Sequence, residues 1–106
     1  WALRLSQARP EAVSAVVTVY STGEADFSQA RAAYLGHFAE RDDFEPPEAV
    51  QALEGAIRSA GREVTFHVYP GTGHWFAEPD RPDAYDADAA ALVWERTLAF
   101  LKARLA

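Results

Sequence analysis

The sequence predicts an α/β fold with three mostly parallel strands and flanking helices. The predicted elements follow the order helix end, strand, strand, helix, strand, helix, with connections that suit parallel crossovers. The first strand, at 12–20, is a nearly continuous run of apolar and β-branched residues, which is typical of a strand covered on both faces. With 106 residues, the chain has room for one small domain.

Three stretches predict helices. Residues 1–8 carry apolar side chains at helical spacing before Pro10, which ends the run. A second helix begins near Pro46 and Pro47 and ends at Gly61, since proline suits a first turn and glycine follows a last one. Its predicted apolar face comprises Val50, Leu53, Ile57 and Ala60. The last helix begins near Asp86, and we expect Trp94 to lie in the core. The residues along one face of this helix are Ala90, Trp94, Thr97, Leu98, Leu101 and Leu105.

The second and third strands both lead into residues that can carry chemistry. The strand at 34–39 is followed by the charged stretch 40–43, and the strand at 63–69 enters a glycine-rich loop that holds His74. Gly71 and Gly73 permit backbone angles that a side chain would forbid. Histidine gains and loses a proton near neutral pH, so this loop predicts a fixed imidazole at the end of a strand.

Composition excludes several classes of function. The net charge of −6 argues against a nucleic-acid partner or an anionic membrane surface, and no run is long and apolar enough to span a membrane. The chain has no cysteine, hence no thiolate ligand or cysteine nucleophile of its own. No signal peptide is visible, and we expect a cytoplasmic protein. His37 and His67 lie within strands and are interpreted as packed histidines rather than metal ligands; no metal or organic cofactor is predicted.

The spacing suggests an acid–histidine pair. Ligands gather at the carboxyl ends of parallel strands, where the sequence puts Asp42 or Asp43 after one strand and His74 after the next. A carboxylate that binds one imidazole nitrogen fixes the tautomer, which leaves the other nitrogen to take a proton from a nucleophile. An acid followed by a histidine is the order of α/β-hydrolases, in which the nucleophile precedes both.

The chain resembles the C-terminal part of the dienelactone hydrolase family of α/β-hydrolases. The resemblance covers nearly the whole chain, in order. It rests on segments 10–13, 16–20, 42–47, 69–76, 85–86 and 91–97, of which the glycine-histidine-aromatic-phenylalanine run and the tryptophan-to-threonine stretch are the most specific. It implies a single α/β-hydrolase domain of which 1–106 form the C-terminal part, acting on a small-molecule carboxylic ester or lactone.

Carried over residue by residue, the resemblance implies Asp42 as the triad acid and His74 as the general base. Asp43 is the alternative acid, or a helix cap. Trp75 is expected to roof the substrate pocket and Phe76 to pack in the core. The best-known members bind a substrate carboxylate through an arginine four residues after the histidine; here that position is Glu78, which puts an anionic substrate in doubt.

The family's nucleophile, a serine or cysteine between two glycines, is missing from this sequence. None of the five serines has glycine both two residues before and two residues after it. Because the chain starts at Trp1 rather than Met, we expect the nucleophile elbow and the earlier strands to lie upstream, and this N-terminal part of the same domain to be a partner of the chain. The chain alone is then expected to be inactive. The alternative is a non-catalytic fragment with a structural or binding role.

Overall fold

A computed structural model describes residues 2–20, 22, 27–42 and 45–105 of the chain. Among these residues, three helices pack on a single sheet of three strands, which confirms the predicted α/β class. Their bounds are α1 (Ala2–Ala8), β1 (Ala15–Val19), β2 (Ala33–Arg41), α2 (Pro47–Ser59), β3 (Val64–Gly73) and α3 (Ala87–Leu105).

The sheet is parallel throughout its described strands, in the order β1–β2–β3. The central strand, β2, is buried along its first seven residues, as expected for a strand with a neighbour on each side and cover on both faces. Val16 pairs with Tyr34, and Tyr34 pairs in turn with Val64, so the three strands present matching faces to the helices. The carboxyl ends of β2 and β3 therefore meet at one edge.

Each face of the sheet carries its own buried cluster. The first cluster packs α1 and α2 against the sheet through Leu3, Val16, Phe27, Ala30, Ala32, Tyr34, Leu53 and Ile57. The second packs α3 and the His74 loop through Tyr20, Ala39, Tyr69, Phe76, Ala89 and Val93. The alternation of β3 appears in this division, because Phe66 packs against the first cluster and Tyr69 belongs to the second.

The termini of the helices follow the sequence signals. Pro47 opens α2, and Gly61 follows it with φ of 77°, the left-handed conformation that glycine adopts at helix ends. Asp86 caps α3, because its Oδ1 accepts a hydrogen bond from the Ala89 N–H at 3.0 Å.

Two predictions about packing differ from the structure. The third strand continues through Gly73 rather than ending at Tyr69, because Gly73 pairs with Arg41 of β2 after a register shift between Ala39 and Arg41. Trp94 was expected in the core, but it is 66% exposed, and Leu98 is 51% exposed. The buried side of α3 is instead formed by Ala89, Ala90 and Val93, whose small side chains allow close approach to the sheet.

Candidate active site

Asp42 and His74 meet at the carboxyl edge of the sheet. Arg41 and Gly73 are paired residues at the ends of β2 and β3, and Asp42 and His74 follow them directly. His74 Nδ1 lies 2.6 Å from Asp42 Oδ2. With an ionised carboxylate as acceptor, Nδ1 must carry the proton, so the geometry selects one imidazole tautomer.

The carboxylate is more deeply buried than the imidazole. The Asp42 side chain is 2% exposed and the His74 side chain 18%. Asp42 Oδ1 also accepts the Glu45 N–H at 3.1 Å, so each carboxylate oxygen has a partner. The buried carboxylate therefore orients the imidazole through Nδ1 and leaves part of the ring accessible to a reactant. Asp43, the alternative acid, lies outside the described residues.

The loop that carries His74 is closed by local hydrogen bonds. Thr72 Oγ1 donates to the Tyr69 carbonyl at 2.6 Å, and the Phe76 N–H donates to the Gly73 carbonyl at 3.1 Å. Gly71 has φ of 72°, and its N–H donates to Glu40 Oε1 at 2.9 Å. The glycines thus let the chain turn while remaining attached to the neighbouring strand.

Aromatic rings surround the imidazole. The Tyr20 ring centroid lies 5.0 Å from that of His74, and the Trp75 centroid lies 4.8 Å from it. Phe76 is fully buried, as predicted, and contacts Tyr20 at 5.4 Å. Trp75 is half-buried beside His74; whether it contacts substrate stays a prediction.

Tyr20 is a site residue that the sequence did not single out. It follows β1 directly, and its hydroxyl donates to Glu78 Oε1 at 3.0 Å. Burial and the Glu78 carboxylate both raise the pKa of the Tyr20 phenol. Its position after a strand, at the same edge as Asp42, is the signal that could have identified it.

A buried polar network joins the same edge to α3. His37 is fully buried, with Nδ1 2.7 Å from the Tyr69 hydroxyl and Nε2 2.9 Å from Thr97 Oγ1. Burial, followed by the nearby His67 and Arg96, lowers the pKa of His37 to about 4, so the imidazole is neutral. This confirms His37 as a packed histidine; the half-buried His67 stacks on it at 6.0 Å.

Comparisons with known proteins identify the family. The sequence model of the dienelactone hydrolase family matches residues 1–105, and the chain belongs to that family. A protein of Azospirillum brasilense named as a carboxymethylenebutenolidase is 41% identical over 71 residues, which is 67% of this chain and 30% of the relative. One of Escherichia coli K12 with the same name is 35% identical over 68 residues, 64% of this chain and 25% of the relative.

Solved structures show the same fold. A Klebsiella pneumoniae protein named as a dienelactone hydrolase superposes with a TM-score of 0.75 at 24% identity, over 91% of this chain and 46% of that one. A dienelactone hydrolase-like promiscuous phosphotriesterase from metagenomic libraries gives 0.78 at 20% identity, over 86% and 42%. This chain therefore spans less than a third of the two curated relatives and less than half of either solved structure.

Within the described ranges, no three histidine or carboxylate side chains converge in a way that could hold a metal ion. None of the helices described is long and apolar enough to cross a membrane.

Proposed function

We propose that this chain supplies the acid and the base of a nucleophile–His–Asp triad in a hydrolase that acts on carboxylic esters or lactones. The observation that supports this most directly is the 2.6 Å contact between His74 Nδ1 and a carboxylate of Asp42 that is 2% exposed. Family membership supports the same chemistry. The cytoplasmic location expected from the sequence stays a prediction, as does the independence from a cofactor.

In this mechanism, His74 acts twice as a proton carrier. Its Nε2 takes the proton of the nucleophile as the nucleophile attacks the ester carbonyl, and then passes that proton to the leaving alcohol. An acyl-enzyme remains, and His74 next takes a proton from the water that attacks it and returns that proton to the nucleophile as the carboxylic acid is released. Asp42 stays ionised and stabilises the imidazolium formed in both steps.

The nucleophile must come from residues outside the 106. A glycine-framed serine or cysteine on a preceding strand-to-helix turn would supply it, together with a backbone N–H for the oxyanion. We propose that this N-terminal part of the domain docks along β1, whose outer edge has no strand beside it among the described residues. A cleft of about 220 Å³ adjoins that edge, between Val17 and Val19 of β1 and Trp94 and Thr97 of α3.

Glu78 supports a neutral substrate rather than an anionic one. Its carboxylate is held by Tyr20, and Tyr20 contacts the His74 ring, so a negative charge lies close to the candidate base. A substrate carboxylate bound on the Tyr20 side of His74 would be repelled by Glu78. A neutral lactone or simple carboxylic ester meets no such cost.

Activity measurements test the assignment. We expect the 106-residue chain to hydrolyse an aryl ester no faster than free imidazole, because loss of the nucleophile in a comparable triad costs on the order of a millionfold in turnover. Histidine-dependent turnover well above that level would contradict the assignment. The natural protein, if it extends upstream, should hydrolyse the ester, and there Asp42→Asn should lower kcat by about ten-thousandfold.

Asp43→Asn is the matched control in the same protein. It removes the neighbouring carboxylate and is expected to retain activity within a few-fold, whereas the reverse result would make Asp43 the triad acid. A glycine or alanine at the upstream elbow would favour the alternative, a non-catalytic structural or binding role.

A further inference from the structure

Backbone strain in this chain is concentrated beside His74. Among the described residues, the non-glycine positions with positive φ are Tyr20, at 42°, and Trp75, at 69°. Such a conformation costs an L-residue about 1–2 kcal/mol, and it persists only where the surroundings enforce it. The two residues are far apart in sequence, yet both place their rings against the His74 imidazole.

Trp75 occupies a turn position that favours glycine. The Phe76 N–H bonded to the Gly73 carbonyl closes a four-residue turn in which Trp75 is third, the position of positive φ in a type II turn. Glycine would meet that requirement without strain. Tryptophan there brings a ring within 4.8 Å of His74, nearly perpendicular at 81°. The Arg81 guanidinium lies 4.4 Å from the Trp75 ring centroid and holds it by a cation–π contact.

Tyr20 reaches the same imidazole from β1. Its N–H donates to the His37 carbonyl at 2.7 Å, which keeps the backbone attached to β2 beyond the last strand residue. Its ring is tilted by 50° to His74 at 5.0 Å, and its hydroxyl donates to Glu78. Each ring is thus held by a charged side chain, Glu78 at the Tyr20 hydroxyl and Arg81 over the face of Trp75.

The bond to Asp42 does not fix the imidazole by itself. A hydrogen bond at Nδ1 still allows coupled rotation about χ1 and χ2 that tilts the ring, whereas proton transfer requires Nε2 to keep one direction. Contacts from two chain segments, at two different inclinations, restrict this rotation. We propose that Tyr20 and Trp75 form an aromatic clamp that positions the His74 imidazole on Asp42. Both are positioning residues. The clamp itself is inferred from these contacts, and only its use in catalysis rests on the proposed function of His74 as the general base.

Nuclear magnetic resonance of the ¹⁵N-histidine-labelled chain tests the clamp without an activity assay. In the unsubstituted chain, the His74 Nδ1 proton should give a protected downfield signal, with ¹⁵N shifts of a single tautomer. Trp75→Gly relieves the strained turn and removes the ring. We expect it to speed exchange of this proton with water by about five- to tenfold, the factor that corresponds to one aromatic contact. Its free energy of unfolding should change little.

Two conservative variants and a substitution of a second tryptophan serve as controls. Trp75→Phe keeps a ring and should retain the protected signal within about twofold. Tyr20→Phe, which keeps the ring but loses the hydroxyl that bonds to Glu78, should fall between Trp75→Phe and Trp75→Gly. Trp94→Ala removes an exposed ring on α3, outside the two ring contacts described for His74, and should leave the signal unchanged.

Two results would overturn the clamp. One is the lack of a protected Nδ1 signal in the unsubstituted chain; the other is an exchange rate in Trp75→Gly within twofold of the original. A purely structural role for Trp75 would instead lower the free energy of unfolding in proportion to the faster exchange. Failure of ester hydrolysis in the longer protein would refute the proposed function and leave these results standing.

Discussion

The two faces of the sheet are built from different kinds of side chain. The face covered by α1 and α2 is packed mainly with hydrocarbon, and its internal polar contact joins Ser6 to the Tyr34 hydroxyl at 2.6 Å. The face covered by α3 holds the His37 network, the strained Tyr20 and the Asp42–His74 pair at its edge. Hydrocarbon packing and the proposed catalytic pair therefore lie on different sides of a sheet that is three described strands wide.

The physical reason is the cost of burying polar groups. A buried hydrocarbon needs only close packing, whereas each buried donor or acceptor needs a partner in good geometry. On the α3 face, partners come from three elements at once, since His37, Tyr69 and Thr97 lie on β2, β3 and α3. The stability contributed by that face should therefore depend more on pH, and the stability contributed by the opposite face more on side-chain volume.

The largest expected effect is on the hydrocarbon face. Ile57 is fully buried in α2, and Ile57→Ala should lower the free energy of unfolding by roughly 4 kcal/mol through lost burial and the cavity left behind. Urea denaturation measures the loss. Gln51→Ala, an exposed change in the same helix, should stay within about 0.5 kcal/mol. If packing on this face is independent of the Asp42–His74 pair, the His74 Nδ1 proton of folded Ile57→Ala remains protected from exchange. Loss of that signal would show that the two faces are coupled.

The hydrocarbon face and the acid–histidine pair were the parts most accessible from sequence. Leu53 and Ile57 recur at helical spacing, and the carboxyl ends of parallel strands must meet, so Asp42 and His74 could be placed together without coordinates. Tyr20 was missed because its role depends on a backbone angle and on a partner, Glu78, that lies 58 positions away. Side-chain period carries no information about either.

We expect the stability of the α3 face to depend on pH through His37. The pKa of His37 is about 4 in the folded chain against an ordinary 6.5, so the unfolded chain binds more protons between these values. Stability from this residue is fully present above pH 6.5 and is lost as pH falls to about 4, by roughly 3 kcal/mol in total.

Denaturation of the original chain and of His37→Gln across this range measures the effect as a difference. The stability advantage of the original chain should shrink as pH falls, because glutamine does not titrate. His67→Gln is the matched control; the pKa of the half-buried His67 is lowered too, by burial and by Arg96, so its contribution has the same sign and is expected to be smaller. If the free energies of unfolding of the original chain and of His37→Gln depended equally on pH, His37 would not be the source of the stability lost in acid.

The smallest expected effect corrects the sequence prediction for α3. The apolar stripe of α3 is wide, and spacing alone does not decide which side of it meets the sheet. Because Trp94 is 66% exposed, Trp94→Ala should change the free energy of unfolding of this chain by no more than about 0.5 kcal/mol. Val93→Ala, one position earlier and buried, should cost about 2 kcal/mol. If Trp94→Ala lowered the free energy of unfolding as much as Val93→Ala does, the original prediction that Trp94 lies in the core would be supported.

The same substitution distinguishes this chain from a longer protein. Trp94 lines the cleft beside the outer edge of β1, where we propose that the N-terminal part of the domain docks. If that part buries the indole, Trp94→Ala should cost about 3 kcal/mol or more in the longer protein, while the cost in the 106-residue chain stays near zero. An equally small cost in both would place the docking surface elsewhere. Monomeric, protease-resistant behaviour of the 106-residue chain would argue against the proposed docking along β1, since an uncovered edge of a parallel sheet favours association.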